Sequence, residues 1–380
     1  MNKKKIFIGI FIAMITVPWI IYPFLTKWLD TDNYENRELA VRPILGETAI
    51  REYPSAYENY FNDHLPFKNQ IRSLNSAMDV LLFHSLDSDK VILGKEGWLF
   101  YKAEGCLEDY RGLQSYTEAE LAEMKQNLQT IQKWFEDRGI EVVINIVPNK
   151  DEVYAQYMPE DIQVVNSVSK TEQAVAYLNK EIDMPIIYDL DNLKEKTQKH
   201  QIYCKYDTHW NYIGGYYGAQ TIGKAIGKTL PEIVDKDIVK WSKKVLPVAP
   251  QQRGDTYDLS MMISLPHVLD VHKDKKYMVK YKPDVKVQGE SLASYSDVDT
   301  MEYTSKAEDD RHLVMIGDSF SNLDMPYLAK EFQKCSGICY LHYENNYITS
   351  RNPDIVVFQF VERRAGRFDQ TIMGLLDMEK

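Results

Sequence analysis

Short, continuous apolar runs constrain the fold of this chain more than any other feature. Four of them are rich in β-branched residues: Glu141–Val147, Pro185–Leu190, His312–Ile316 and Ile355–Val361. Segments with helical periodicity lie between them. Apolar runs without polar alternation are typical of strands buried on both faces, and their alternation with helices is typical of a parallel sheet. The sequence therefore predicts an α/β fold with a mainly parallel sheet and helices on both faces.

The helix before the first run has clear end signals. Thr117 and Glu120 form a capping-box pattern, and Gly139 is placed to terminate the helix. Between these ends, apolar residues recur at helical spacing. This spacing predicts a buried stripe of Leu121, Met124, Leu128, Ile131 and Phe135.

The N-terminal segment has a different character. Three lysines, Lys3 to Lys5, precede an uncharged stretch from Ile6 to Leu25. A helix of roughly 20 residues is about 30 Å long, the thickness of the bilayer's hydrocarbon core. Basic residues before the span place the N-terminus in the cytoplasm and the remaining chain outside. Residues 1–29 are therefore predicted to be an uncleaved, single-pass membrane anchor, and a cleaved signal peptide is the alternative.

Composition narrows the classes of partner. The formal net charge is -11, and basic residues do not gather into a stripe, so nucleic acid is not an expected partner. The four cysteines allow three disulfide pairings, and the spacing selects none; buried or free thiols are the simpler expectation. Since no CxxC pair and no HExxH occurs, neither a metal nor a cofactor is expected.

One segment that carries chemistry is Leu313–Ser321, where an apolar strand runs into Gly317, Asp318 and Ser319. Active sites in open α/β sheets lie beyond the carboxyl ends of the strands, where this serine would be. A helix predicted to follow, reaching Phe332, would place free backbone N–H groups beside the serine. Such donors stabilise the oxyanion that forms when a serine attacks an ester. The alternative is that Asp318 or Ser319 only caps the helix.

A second segment, Tyr206–Asn211, supplies a base for that serine. A neutral hydroxyl is a poor nucleophile and needs a base to remove its proton. His209 would take the proton, while Asp207 would fix the histidine tautomer and stabilise the imidazolium. Asn211 is placed to cap the following helix. The alternative for Asp207 and His209 is a structural histidine bonded to a nearby aspartate.

Together these segments resemble the AlgX/AlgJ-like branch of the SGNH-type polysaccharide O-acetyltransferases, which includes the DHHW proteins. The resemblance rests on the D-T-H-W-N segment at 207–211 and the later G-D-S-F-S segment at 317–321. Supporting stretches follow the family's order over about residues 35–365: Asp63–Lys68, Val91–Tyr101, Pro148–Lys150, Arg253–Met261 and Val361–Arg363. The combination is specific, whereas each stretch alone is not.

The resemblance implies a fold, an activity and partners. It implies an SGNH hydrolase-like fold for the catalytic domain, which we expect over 91–380. The polar and aromatic sequence at 30–90, interrupted by prolines, predicts a stalk with packing helices, and a break in the strand–helix rhythm at about 230–310 predicts an insertion. Asp207, His209 and Ser319 match the family's triad. The implied activity is extracytoplasmic transfer of acetyl groups to polysaccharide hydroxyls through an acyl-serine. The implied partners are the polysaccharide acceptor and a membrane-bound O-acyltransferase that supplies acetyl groups.

Two other functions stay open at this point. An acetylesterase would use the same triad, with water in place of the sugar hydroxyl. A non-catalytic scaffold of a polysaccharide export complex would need no reactive serine.

Several further residues have a functional and a structural interpretation. Trp210 is a candidate for stacking on a sugar ring, and burial in the core is its alternative. Glu362 and Arg363 end a buried-type strand, where they either order the site or contact the substrate. Asn322 and Gly254 are guesses for the remaining oxyanion donors.

Overall fold

The structure is a computed structural model, and it describes residues 3–31, 33, 38–242, 245, 257–266, 268–269, 277–281, 285–293 and 298–379. By its internal contacts the chain divides into two compact units. The N-terminal unit combines Met1–Ser88 with Tyr257–Leu269. The main unit combines Asp89–Thr256 with Asp270–Lys380.

The helices of the described residues are numbered in chain order. They are α1 (Lys3–Leu25), α2 (Tyr53–Asp63), α3 (Lys68–Leu82), α4 (Cys106–Tyr110), α5 (Glu118–Glu136), α6 (Lys150–Val153), α7 (Lys170–Glu181), α8 (Leu190–Thr197), α9 (Tyr212–Ala225), α10 (Asp258–Met262), α11 (Ser321–Leu328), α12 (Tyr347–Arg351) and α13 (Phe368–Asp377). The N-terminal unit contains α1, α2, α3 and α10.

The strands all belong to the main unit. They are β1 (Val91–Leu93), β2 (Leu99–Tyr101), β3 (Glu141–Val147), β4 (Ile186–Tyr188), β5 (Ile238–Lys240), β6 (Tyr277–Val279), β7 (Gln288–Ala293), β8 (Val298–Thr304), β9 (Asp309–Gly317), β10 (Phe332–Cys339) and β11 (Ile355–Val361).

A seven-stranded sheet in the order β4-β3-β11-β9-β10-β8-β7 forms the centre of the main unit. The five strands from β4 to β10 are parallel, and β8 and β7 extend the sheet as antiparallel strands. Val361 pairs with Val147, and Gln359 pairs with Gly317. The carboxyl ends of β3, β11 and β9 therefore meet at one edge of the sheet.

Helices cover both faces of this sheet. In β11, Val357 packs in a core cluster with residues of α9 and α11, whereas Val356 and Phe358 pack in a second cluster with residues of α5, α7 and α13. Successive strand residues point to opposite faces, so one apolar strand serves both clusters. The predicted α/β architecture is confirmed.

Local predictions in the main unit are confirmed as well. Thr117 and Glu120 form the capping box of α5, and all five residues of its predicted stripe are buried. Beside these predicted features, β1 and β2 pair as a separate antiparallel two-stranded sheet. Cys106, Cys204 and Cys335 are buried, and Cys339 is partly exposed.

One helix prediction is wrong. The helix after Ser319 ends at Leu328, and Phe332 begins β10 instead of ending the helix. A turn at 329–331 separates the two elements, and β10 then pairs with β9. Of the predicted insertion at about 230–310, the described part forms β5, β6, β7, β8 and the short helix α10; much of the remainder lies outside the described residues. The predicted boundaries of the stalk and of the catalytic domain stay predictions.

In the N-terminal unit, α1 is the one helix of the described residues that is long and apolar enough to cross a membrane. It has 23 residues, an 18-residue window within it has a mean hydropathy of 2.1, and none of its residues is buried. A signal anchor and a signal peptide share this character.

Candidate active site

Ser319 lies just beyond the carboxyl end of β9, two residues before α11 begins. It is partly exposed, whereas the strand residues before it are buried. A Cβ atom at Gly317 would lie 3.2 Å from the Ser321 side chain and 3.3 Å from Gln359. Close packing, and not a positive φ angle, therefore explains the glycine before the turn.

Asp318 fixes the shape of this turn. Its Oδ1 accepts a hydrogen bond from the backbone N–H of Phe320 (3.0 Å), and its Oδ2 accepts one from the N–H of Val361 (2.6 Å). Burial raises the pKa of this carboxyl, while the two N–H donors act in the opposite direction. The helix-cap interpretation is wrong for both residues, because Phe320 occupies the N-cap position of α11 and no side chain caps it. Asp318 instead ties the serine turn to the end of β11.

The three residues of the predicted triad lie in one hydrogen-bonded chain. His209 Nε2 is 2.6 Å from Ser319 Oγ, and His209 Nδ1 is 2.6 Å from Asp207 Oδ1. The Asp207 carboxylate is fully buried, and the His209 side chain is 16% exposed. In the neutral tautomer that carries its proton on Nδ1, His209 donates to Asp207 and accepts from Ser319. This is the arrangement that general-base activation of a serine requires.

A tight loop brings the aspartate and histidine together. A bridge between Tyr203 and Trp210 closes the loop, and the backbone N–H of His209 donates to Asp207 Oδ1 at 2.9 Å. The segment is bent and not extended, so this local hydrogen bond, and not strand alternation, places the two side chains on the same side. Asn211 caps α9, as predicted, by accepting from the N–H groups of Ile213 and Gly214.

Trp210 joins the two catalytic segments. Its ring is almost fully buried, its Nε1–H donates to the carbonyl of Phe320 (3.0 Å), and the two rings meet edge to face at 5.4 Å. The sugar-stacking interpretation of Trp210 is therefore wrong. The ring is core, and it fixes the histidine loop against the serine turn.

Lys150 also binds the loop that contains Asp207 and His209. It begins α6 directly after β3, and its side chain is buried. Its Nζ donates to three backbone carbonyls, those of Cys204 (3.0 Å), Lys205 (3.3 Å) and Asp207 (2.8 Å). A cation that satisfies three carbonyls of one loop restricts the position of that loop. The sequence offered this residue only as part of a family stretch, although a lysine after a predicted parallel strand lies where such sites form.

A small polar cavity adjoins the loop. Its volume of about 10 Å³ is enough for one water-sized group. The lining includes Thr208, Asn149, Asp151 and Arg363. Asn149 is 3% exposed, and both polar atoms of its side-chain amide are buried without a hydrogen-bond partner among the described residues. The Arg363 guanidinium lies 5.7 Å from the centre of the Phe320 ring.

Two buried carboxyl groups, those of Glu362 and Asp151, lie near this cavity. Glu362 accepts hydrogen bonds from the N–H of Asn149 (3.0 Å) and from the hydroxyl of Tyr188 (2.9 Å). Burial raises the pKa of Glu362 to about 7, and the two donors oppose that shift. Burial and repulsion from Glu362 raise the pKa of Asp151 to about 8. Of the two interpretations of Glu362, its buried contacts favour ordering the ends of β3 and β11.

The structure gives no support for Asn322 or Gly254 as an oxyanion donor. The buried Oδ1 atom of Asn322 has no hydrogen-bond partner within the described ranges, and Gly254 lies outside them.

The sequence of the main unit matches a known protein family. Residues 91–334, more than half of the chain, match the family model described as SGNH hydrolase-like domain, acetyltransferase AlgX. The matched range includes Asp207, His209 and Ser319. The chain belongs to this family.

Relatives within the AlgX-type family are distant. The "Probable alginate O-acetylase AlgJ" of Pseudomonas aeruginosa is 25% identical over 175 residues, which cover 46% of this chain and 42% of that protein. Its counterpart in Pseudomonas syringae pv. tomato is 26% identical over 181 residues, covering 47% and 44%. The chain thus spans less than half the length of these curated relatives.

A solved structure shares the fold. A DHHW family protein from Eubacterium siraeum superimposes with a TM-score of 0.51 at 15% identity, covering 75% of this chain and 98% of that one. At this identity the likeness concerns the fold alone.

Proposed function

We propose that this chain is an extracytoplasmic O-acetyltransferase that moves acetyl groups to hydroxyls of a cell-surface or exported polysaccharide. The observation that carries the proposal is the chain of two 2.6 Å contacts from Ser319 Oγ through His209 to Asp207. Membership of an acetyltransferase family supports the choice of acetyl as the transferred group. The names of the alginate O-acetylases support a polysaccharide acceptor.

In the first step, Ser319 Oγ attacks the carbonyl carbon of an acetyl donor while His209 Nε2 takes the hydroxyl proton. The tetrahedral intermediate collapses as the bond to the leaving group breaks, and His209 returns the proton to that group. Asp207 keeps the Nδ1 proton in place and stabilises the imidazolium. The product of this step is an acetylated Ser319.

In the second step, a sugar hydroxyl replaces the leaving group. His209 Nε2 takes the proton of that hydroxyl, the sugar oxygen attacks the acetyl carbonyl, and the bond to Ser319 Oγ breaks. His209 then returns the proton to Ser319, and the enzyme is restored. Water in the same position would release free acetate instead, so exclusion of water decides between transfer and hydrolysis.

The small polar cavity supplies donors for substrate oxygens. The Asn149 amide has no hydrogen-bond partner in the part of the chain that the structure describes, and the Arg363 guanidinium lines the same space. A carbonyl or hydroxyl oxygen there would therefore satisfy a buried donor. Both residues follow strands that end at the same sheet edge as β9, beside Ser319.

Anchoring by α1 fits this function. We propose that α1 holds the chain in the cell membrane with the main unit outside, where a membrane-bound O-acyltransferase delivers acetyl groups and the polysaccharide passes. No cofactor enters either step.

The test combines a serine variant with a matched control. The full chain is incubated with p-nitrophenyl acetate and with deacetylated surface glycan from the producing organism, and acetate on the glycan is measured. We expect transfer with the native chain, no transfer with Ser319→Ala, and native transfer with Ser115→Ala, since Ser115 is an exposed residue. Turnover that yields only free acetate would identify an acetylesterase. Native turnover by Ser319→Ala would exclude both enzymes.

A further inference from the structure

Helix α3 of the N-terminal unit turns its apolar face outward. Five apolar residues recur at helical spacing along its length and are 44–68% exposed: Ile71, Leu74, Met78, Leu81 and Leu82. A helix packed on a protein core normally buries such a stripe. Exposed apolar stripes of this size mark a surface that contacts another apolar phase. We call these five residues the α3 stripe.

The opposite face of α3 is the one that packs on the unit. Val80 is its buried residue, and the Ser73 hydroxyl donates to the backbone carbonyl of Ser264. Near the start of the helix, the side-chain amide of Gln70 donates to the carbonyl of Asp30 at 2.8 Å. Small and polar contacts therefore fix the rotation of α3, and that rotation leaves the α3 stripe facing away from the rest of the N-terminal unit.

Two ring contacts connect the apolar helix α1 to the segment that leads into α3, one at the start of α3 and one in α2. Tyr22, in the last turn of α1, meets Phe67 with ring centres 5.2 Å apart, and Phe67 is the residue directly before α3. One turn earlier, Trp19 stacks on Phe61 of α2 at 5.2 Å. The start of α3 thus lies beside the outer end of α1. Aromatic residues are enriched where membrane-spanning helices leave the bilayer.

From these contacts we propose that the α3 stripe lies on the outer surface of the lipid bilayer, as an interfacial helix next to the membrane-spanning α1. The proposal rests on the proposed membrane placement of α1. Charged residues flank the stripe on one side, at Lys68, Arg72 and Asp79. A helix with one apolar face and a polar flank, lying in the plane of the headgroups, buries its apolar side chains at the acyl boundary.

Continuity with α1 is the reason to choose lipid over a protein partner. The α3 stripe begins beside the outer end of α1, which lipid would surround. Lipid is therefore the apolar phase next to the stripe, and no second protein has to be assumed. The helix would then hold the N-terminal unit against the membrane at a second point.

The test measures lipid contact directly in the full chain. The protein is reconstituted at a low protein-to-lipid ratio in vesicles of phosphatidylcholine and phosphatidylglycerol, with Cys339→Ser as background because the other three cysteines are buried. An environment-sensitive NBD label is attached to Leu74→Cys or Met78→Cys. Lys133→Cys, on the exposed side of α5, is the aqueous control, and Ile15→Cys in α1 is the bilayer control.

We expect nitroxide-labelled lipids to quench the labels at positions 74 and 78 at least several-fold more than the label at 133. The label at 15 should be quenched by lipid nitroxides but not by aqueous iodide. Iodide quenching at 74 and 78 equal to that at 133 would overturn the proposal. Protection from both quenchers would also overturn it, in favour of contact with a second copy of the chain. Hydrolysis of p-nitrophenyl acetate by each labelled protein tests the triad separately, so the two proposals can fail independently.

Discussion

The ammonium nitrogen of Lys150 lies 2.8 Å from the backbone carbonyl oxygen of Asp207, the residue whose carboxylate binds His209. The lysine follows β3 and the aspartate precedes α9, so this contact joins two elements that the chain order separates. The Asp207 carboxylate accepts hydrogen bonds from both the backbone N–H and the Nδ1 of His209. By fixing Asp207, Lys150 therefore also fixes the position of His209. We regard Lys150 as a positioning residue.

Replacement of Lys150 by Met should therefore lower kcat more than it changes KM. Loss of three hydrogen bonds frees the loop, and a displacement of about 1 Å at a catalytic group costs up to about 100-fold in rate. We expect a decrease of about 10- to 100-fold in kcat for p-nitrophenyl acetate, with partial recovery in Lys150→Arg. Lys133→Met, at an exposed site of α5, serves as the control for removal of a lysine. Native kcat in a folded Lys150→Met protein would show that the loop holds its position without the lysine.

Asp207→Asn should disable the base while it preserves the fold. An amide at this position favours the wrong histidine tautomer, in which Nε2 carries the proton and cannot accept one from Ser319. A decrease in kcat of about three to four orders of magnitude is expected, with a melting temperature close to native. The rate of fluorophosphonate labelling of Ser319 should fall in parallel. A variant within threefold of native activity would remove Asp207 from the mechanism.

The buried acids predict a particular pH dependence of stability. The pKa values of Asp151 and Glu362 in the folded chain, about 8 and about 7, lie above their ordinary values of 3.8 and 4.5. Because both pKa values are raised, the folded state binds more protons than the unfolded state between about pH 4 and pH 8. The stabilisation that these two carboxyl groups provide is therefore fully present below about pH 4 and is lost as pH rises through 7 and 8. Each group contributes at most about 1.4 kcal/mol per pH unit to the slope.

Asp151→Asn and Glu362→Gln should flatten that slope. Chemical denaturation between pH 4 and pH 8 would measure the free energy of unfolding, with Asp137→Asn at an exposed site as the control. An unchanged slope in the double variant would mean that neither acid gains a proton on folding.

Two glycines allow a matched test of helix packing. A Cβ atom at Gly215 in α9 would lie 2.3 Å from the backbone oxygen of Leu323 in α11, whereas one at Gly374 in α13 meets nothing within 4 Å. Gly215→Ala should destabilise the protein by about 1–3 kcal/mol, because backbone atoms cannot yield. Gly374→Ala should stabilise it by about 0.5–1 kcal/mol. Thermal unfolding of both variants measures the contrast, and equal effects would contradict the close contact of α9 with α11.

Much of the fold could be predicted from apolar runs. The run Ile355–Val361 is buried along its whole length, because helices cover both sides of β11. β10 escaped prediction, since its sequence mixes Lys334, Ser336 and Gly337 with apolar residues. Its place in the sheet comes from pairing with β9 and β8, which are long-range contacts that no local pattern encodes.

In the candidate site, too, some residues could be predicted from the sequence and others could not. Asp207, His209 and Ser319 stand in segments whose residue types indicate their chemistry. The contributions of Lys150 and Trp210 depend on distances across the fold: the lysine meets carbonyls more than fifty positions away, and the tryptophan N–H reaches Phe320. A tryptophan beside a catalytic base has the same sequence signature whether it faces a sugar or the core. Packing alone decides between the two, and here the ring is 1% exposed.

The most direct test of the central claim is to trap the covalent intermediate. The full chain is mixed with p-nitrophenyl acetate, quenched in acid within the first turnover, digested, and searched by peptide mass spectrometry for an added acetyl group. The account predicts an acetyl ester on Ser319 in the native chain, and none there in His209→Gln. An acetyl group that forms on another residue, or on Ser319 at the same rate without His209, would contradict the account.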